Sequence, residues 1–191
     1  FHERFAGLPD DARLRPAQKA AVDVALQMDE PGLIIIEAPM GNGKTEASLL
    51  CAEILARRFC DGGIAYLLPT MATSNAMFAR VEGWLVRLAQ SCGAPTQSMQ
   101  LLHSKAVLNP DYARLKQWRS SWMGDGKEEN DGDEPIVAHQ WFGGTKRGLL
   151  ASFVVGTVDQ LLMAALKTRH VQLRHLGLAG KAVVVDEVHA Y

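Results

Sequence analysis

Apolar residues recur along this chain in two rhythms, and the alternation between them predicts the fold. Apolar runs at 33–36, 64–68, 153–155 and 181–185 read as strands buried on both faces, and 99–102 adds a shorter one. Between the runs, apolar positions return every three or four residues. Ala17, Ala20, Ala21, Val24, Ala25 and Met28 place a helix over 16–28, with Pro16 in its first turn. Further helices are predicted over 44–59, closed by Gly62-Gly63, and over 71–89, 110–122, 158–166 and 171–178. Aliphatic strands alternating with amphipathic helices form parallel βαβ units, hence an open α/β sheet with helices on both faces. Ligands of such sheets bind beyond the carboxyl ends of the strands.

Composition changes this picture little. The chain has 191 residues, 48% hydrophobic and 21% charged, the make-up of a core-forming domain. No apolar run approaches the ~20 residues that cross a bilayer, so no membrane association is expected. The chain opens on Phe1 and stops four residues after Glu187, leaving the last strand without a covering helix. It is expected to be the N-terminal piece of a larger protein. Cys51, Cys60 and Cys92 form no CxxC pair and read as core thiols of a cytoplasmic protein rather than a disulfide or zinc framework.

Charge is more informative when divided. The net charge is −1, but residues 124–134, "GDGKEENDGDE", hold six acids and one Lys, leaving 19 basic against 15 acidic residues elsewhere. The stretch itself is expected to be a solvated, mobile surface loop.

The candidate chemistry begins after the first apolar run. Ala38-Pro39-Met40-Gly41-Asn42-Gly43-Lys44-Thr45 joins a strand to a helix through small residues. Gly41 and Gly43 let backbone N–H groups approach an anion closely, and the helix start adds its positive dipole end. Lys44 supplies a cation for β- and γ-phosphates, and the Thr45 hydroxyl is placed to ligate Mg²⁺. A plain Gly-rich turn needs neither Lys44 nor Thr45. The second half of the pattern is Asp186-Glu187 at the end of residues 181–185. Asp186 is suited to hold Mg²⁺ opposite Thr45, and Glu187 to polarise an attacking water. Met40 to Thr45 are therefore read as a nucleotide-phosphate cradle, with ATP and Mg²⁺ as its ligands.

Asp186-Glu187-Val188-His189 resembles the DExH box of superfamily-two helicases, and residues 38–45 resemble their AxxGxGKT loop. Leu14-Arg15-Pro16-Ala17-Gln18 is similar to the superfamily's Q-type motif, which implies that Gln18 reads the adenine edge, an amide matching its donor and acceptor. "LLPTMATSNAM" (67–77) and "VVGTVDQLL" (154–162) resemble the strand-tracking motifs, which implies roles for Thr70, Met71, Asn75, Gly156, Thr157 and Gln160 along single-stranded DNA. Thr70 and Thr157 serve equally well as helix N-caps.

"WFGGTKRGLLASFVVGTVDQLLMAAL" (141–166) and "LRHLGLAGKAVVVDEVHAY" (173–191) look very like the signature helicase–nuclease family of type I CRISPR systems, and "LLHSKAVLN" (101–109) is similar to it. The resemblance runs from about residue 14 to the end. It implies a first RecA-like helicase domain of a 3′→5′ translocase that is recruited to a Cascade-bound R-loop and feeds single-stranded DNA to an HD nuclease domain. His189 would couple the nucleotide site to the nucleic-acid groove. Three parts of the family pattern are missing. His2, His103, His139, His170, His175 and His189 include no adjacent His-Asp pair with metal-ligand spacing. The second RecA-like domain, with its arginine finger, and the coupling motif that follows the DExH box are also absent.

His103, Lys105, Lys146 and Arg147 are candidate phosphate contacts, which a solvated basic face explains equally well. Trp141 is open between base stacking and packing, while Phe142, Trp118 and Trp122 read as packing residues. Two alternatives stand beside the CRISPR reading. One is an RNA or DNA helicase of the same superfamily. The other is a catalytically silent nucleotide- or partner-binding module, at least for this chain alone.

Overall fold

A computed structural model of the chain describes all residues except 1, 6, 8, 10, 61, 93–96, 121–135, 139, 144–146, 168 and 191. The predicted alternation of strands and helices is present from residue 44 onward. Helices α1 (Pro16–Gln27) and α2 (Lys44–Phe59) precede strand β1 (Gly63–Leu68). Helix α3 (Met71–Cys92), strand β2 (Gln97–Leu102), helix α4 (Pro110–Ser120) and strand β3 (Ile136–Val137) follow. Strand β4 (Phe153–Thr157), helices α5 (Asp159–Leu162) and α6 (Val171–Leu178) and strand β5 (Lys181–Val185) complete the order. The strands form one parallel sheet in the order β3-β2-β4-β1-β5.

Strands β1, β2 and β4 are largely buried, as their composition requires, whereas β5, expected to be buried on both faces, has Val183 exposed and Val184 and Val185 half-buried. Tyr66, Met99, Leu101 and Val155 pack with Phe78, Val81, Trp84 and Leu85 of α3 in the main core. Ala65, Leu102 and Val154 meet Leu149 and Ala151 in a second cluster. The register matters most for function. Leu102 pairs with Gly156, Leu67 with Val185 and Leu68 with Thr157, so all four long strands end within a residue or two of one level. One step further stand His103, Asp186 and the start of α3 on the same carboxyl edge. The strands approach closely there: a Cβ on Gly156 would lie 2.7 Å from the Leu102 carbonyl oxygen.

The expectation that 33–36 forms a buried strand is not met. These residues join no ladder, and their side chains alternate. Ile34 and Ile36 pack on Ala21, Ala25, Ala47 and Cys51 beneath α1 and α2, whereas Leu33 and Ile35 are 84% and 81% exposed. An all-aliphatic strand needs a neighbour to bond and a second layer to cover it, and among the described residues neither is supplied. The helix predicted over 158–166 is likewise shortened to α5, with turns beyond it. Of the cysteines expected in the core, Cys51 is buried and Cys60 half-buried. Cys92 is exposed at the end of α3, where Arg57 donates to its thiol at 2.9 Å. The acidic stretch 124–134, Trp122 and Lys146 lie outside the described residues, as does the Trp118 side chain.

Candidate active site

The loop leading into α2 takes its shape from two glycines. Gly41 and Gly43 have φ of 77° and 73°, the left-handed region that side chains avoid. Gly43 also has no room for one, since a Cβ would meet Gln18 Nε2 at 2.1 Å. That contact marks a clasp. Gln18, the third residue of α1 and only 3% exposed, accepts the Arg15 N–H at Oε1 (2.9 Å) and donates from Nε2 to the Gly43 carbonyl (3.1 Å). The first bond is half of a capping box. The Arg15 guanidinium donates to the Gly41 carbonyl as well. Gln18, expected to face adenine, thus has both ends of its amide engaged inside the protein.

Lys44 opens α2 with its ammonium folded into the loop, donating to the Ala38 carbonyl at 2.5 Å and the Pro39 carbonyl at 3.3 Å. Asn42 N–H donates to the Pro39 carbonyl at 3.4 Å, and Met40 stands exposed at the tip. The arrangement is a ring of small residues with one cation turned into it. Its two carbonyl partners are replaceable by anionic oxygens, which form stronger bonds to an ammonium.

The carboxylates arrive along β5. Asp186 N–H continues the ladder by donating to the Leu67 carbonyl at 2.9 Å. Its side chain accepts the Glu187 N–H at Oδ1 (2.8 Å) and the Tyr66 hydroxyl at Oδ2 (2.7 Å). Tyr66 is wholly buried, and its oxygen is also reached by Ser48 Oγ of α2 at 3.1 Å. Burial foremost, and then the Asp186 charge, push its phenol far above the usual tyrosine range. Glu187 has φ 53°, rare for a non-glycine residue, and turns the chain into the exposed segment Val188–Ala190 that carries His189. Such strain at a strand end beside a charged site marks a place where geometry is being held for a purpose.

Ser48, whose Oγ also donates to the Thr45 carbonyl, and the Asp186 carboxylate therefore meet at one phenol. It joins the first turns of α2 to the end of β5 and leaves the Thr45 hydroxyl and the Asp186 carboxylate as the hard oxygen donors that the two elements carry. Among the described residues no group of three or more His, Cys, Asp or Glu is suited to hold a metal. A cation here would complete its shell from water and phosphate oxygens. That fits Mg²⁺, which keeps waters and takes one or two protein oxygens beside a nucleotide.

The candidate strand-tracking residues are more occupied than their types suggest. Thr70 caps α3, its hydroxyl accepting the Thr73 N–H at 3.1 Å, while the Thr73 hydroxyl and Ser74 Oγ bond the Thr70 carbonyl. Met71 is partly exposed and accepts from Ser104 at its sulfur. Thr157 is buried and donates to Asp159, Gly156 is buried, and Gln160 accepts from Arg174 at 3.0 Å. His103 departs from the expected basic contact. Lys105 N–H donates to its Nδ1 at 3.2 Å, so the ring proton sits on Nε2, which donates to Asn75 Oδ1 at 2.9 Å. Asn109 donates to the same Asn75 oxygen at 3.1 Å. The imidazole is buried, and burial lowers its pKa, so it joins β2 to α3 as a neutral group. Lys105 is exposed, and the Arg147 guanidinium lies 5.1 Å from the centre of the half-exposed Trp141 ring, which meets Phe142 edge-on.

Sequence reasoning missed Tyr66, Ser48 and the clasping role of Arg15. A signal for Tyr66 existed: a phenol within an otherwise apolar buried strand must find a polar partner.

No family model matches the chain. It is 41% identical over all 191 residues to the CRISPR-associated nuclease/helicase Cas3 of Streptococcus thermophilus, covering 19% of that protein. It is 40% identical, again over its whole length, to the CRISPR-associated endonuclease/helicase Cas3 of Thermus thermophilus, covering 20% of it. In structure it matches the crystal structure of T. fusca Cas3-AMPPNP with a TM-score of 0.72 and 37% identity, over 99% of this chain and 19% of that one. The chain spans about a fifth of the length of the relatives it matches. Over its whole length it is related to the Cas3 nuclease/helicases, and it shares the RecA-like α/β fold of one part of them.

Proposed function

We propose that this chain is the first RecA-like domain of an ATP-driven translocase that moves along single-stranded DNA in CRISPR interference. The observation that carries the reading is the meeting of loop and strand end. Ser48 of α2 and Asp186 beyond β5 share the Tyr66 hydroxyl, which puts the loop that leads into α2 and a carboxylate on one edge of a parallel sheet. A relative of the same fold is described with AMPPNP, a nucleotide triphosphate analogue, which supports ATP as the ligand.

In this reading Met40 to Thr45 wrap the phosphates. Lys44 exchanges its two carbonyl partners for β- and γ-phosphate oxygens. Thr45 and Asp186 hold Mg²⁺, which when bound neutralises charge on those oxygens. Glu187, aimed by its left-handed backbone, orients the attacking water, and His189 on the next turn links the site to the DNA groove. Gln18 reads adenine only after exchanging the Gly43 carbonyl for the base, so its clasp would report nucleotide arrival to α1. Thr70, Met71, Asn75, Gly156, Thr157 and Gln160 form the DNA-facing edge with Lys105, Lys146 and Arg147. The caps and buried hydroxyls among them act by fixing backbone, while the cations meet phosphates. The whole protein would add a second RecA-like domain, an HD nuclease and recruitment by a Cascade-type complex in the cytoplasm. This chain alone holds half an active site and is expected to turn over little ATP.

Steady-state ATP hydrolysis with and without single-stranded DNA, on the whole protein and on this chain, tests the proposal. DNA-stimulated turnover by the whole protein that Glu187→Gln abolishes is the expected result. Indifference to DNA would remove the strand-tracking assignments, and full turnover in Glu187→Gln would remove the water-orienting role.

A further inference from the structure

We propose that Tyr66 is a positioning residue of the nucleotide site, whose hydroxyl locks the Asp186 carboxylate to helix α2 and so sets the pair of oxygens that takes the divalent cation. The inference rests on the Mg²⁺–nucleotide reading above and adds a residue that no motif contains. Tyr66 lies in β1, between β4 and β5, and is fully buried. A carboxylate can only accept, so the phenol proton goes to Asp186 Oδ2, 2.7 Å away. The Ser48 hydroxyl arriving from α2 must then act as a donor to the phenol oxygen. Ser48 shares its one proton between that oxygen at 3.1 Å and the Thr45 carbonyl at 2.9 Å.

The result is a directed chain from the first turn of α2, through one buried oxygen, to the strand-end carboxylate. Its parts come from residues 45, 48, 66 and 186, which only the fold brings together. The chain acts on orientation rather than charge. With Oδ2 held by the phenol and Oδ1 turned toward the Glu187 N–H, the carboxylate cannot rotate away from the loop. Removing the hydroxyl leaves the Asp186 negative charge, the loop and Lys44 in place. The protein should therefore keep its metal-independent grip on phosphates and lose part of the advantage that the metal confers.

The experiment is a titration of a fluorescent ADP analogue against the whole protein, in EDTA and at increasing Mg²⁺, for wild type and Tyr66→Phe. Wild type should bind more tightly as Mg²⁺ is added. In Tyr66→Phe the EDTA affinity should stay within about twofold, while the Mg²⁺ concentration for half of the gain rises roughly tenfold, the size of one lost charge-assisted hydrogen bond. High Mg²⁺ should restore the affinity. In an Asp186→Ala background, which removes the acceptor, Tyr66→Phe should change nothing further, since the two act through one contact. Ser48→Ala, which loosens the phenol from the helix side alone, should give a smaller loss of the same kind and serves if Tyr66→Phe does not fold. An unchanged Mg²⁺ response in both Tyr66→Phe and Ser48→Ala overturns the role of Tyr66 and leaves the nucleotide site standing. Equal losses with and without Mg²⁺ would make Tyr66 a packing residue. Wild type that binds no nucleotide, or binds it without regard to Mg²⁺, removes the nucleotide-site reading and this inference with it.

Discussion

At the scale of single residues, Gly43 is the position where the loop has least freedom. Its φ of 73° and the 2.1 Å approach of Gln18 exclude a side chain for two separate reasons, one conformational and one steric. The two can be separated by mutation. Gly43→Ala should cost about 1–2 kcal/mol for the left-handed backbone, a fall of a few degrees in Tm for a domain of this size, and more through the displaced Gln18. Combining it with Gln18→Ala should recover the steric share and leave the backbone share, so the double variant melts above Gly43→Ala and below Gln18→Ala. Thermal melts of the four proteins decide the matter. A Gly43→Ala protein as stable as wild type would mean that the loop is held by neither constraint. The glycines, Lys44 and Asp186-Glu187 were legible in the sequence because each carries a backbone or charge requirement that spacing alone displays. Tyr66 was not, because its partner Asp186 is 120 residues away and only the β1–β5 register brings them together.

At the scale of elements, the connection between β2 and α3 shows a histidine whose surroundings differ from those its residue type suggests. His103 and Asn75 looked like polar contacts at strand and helix ends, and in isolation a histidine beside a lysine suggests phosphate binding. In the fold the imidazole is buried and neutral, donating to Asn75, which also accepts from Asn109. Sequence periodicity locates β2 but not what its next residue packs beneath, so this fate was hidden. The consequence is a pH dependence of known sign. Burial lowers the His103 pKa in the folded state, whereas the unfolded chain takes up a proton near pH 6.5. Between those two pKa values the unfolded state binds more protons, so stability is intact above about pH 6.5 and falls as pH drops below it. His103→Gln keeps a donor for Asn75 and cannot titrate. The Tm difference between pH 7.5 and pH 5.5 should therefore be smaller in His103→Gln than in wild type, and an equal difference would show that the acid sensitivity comes from elsewhere. The same linkage explains how Asn75 serves the edge of the sheet, by fixing the entry to α3 rather than by reaching outward.

For the whole molecule, the sequence indicated the layered α/β architecture and the end of the sheet at which the site lies, and it failed at residues 33–36. The reason is physical rather than a fault of periodicity. An aliphatic run states that a segment is to be covered on both faces, but it does not say by what. Here one face is covered by α1 and α2, while Leu33 and Ile35 point to solvent. Strand β5 bonds β1 on one side and no other strand among the described residues on the opposite side, and Val183 is exposed. An unpaired strand edge is a template for association with another chain, and exposed aliphatic side chains elsewhere on the surface add apolar area to the same tendency. The 191-residue chain by itself is therefore expected to self-associate at micromolar concentration and above. Replacing Leu33 and Ile35 with Lys should reduce that association, because it puts charge in place of exposed apolar surface. The inward Ile34 and Ile36 remain to hold the loop, so nucleotide-analogue affinity of the chain should change little. Sedimentation velocity across a concentration series, with the fluorescent ADP analogue as a check on the loop, measures both. A wild-type chain that stays monomeric throughout would show that the edge is protected by residues other than those described. A double variant that associates as strongly as wild type would place the contact on another surface. Loss of analogue binding would tie the outer face of 33–36 to the shape of the cradle, making this segment part of the site and not only its approach.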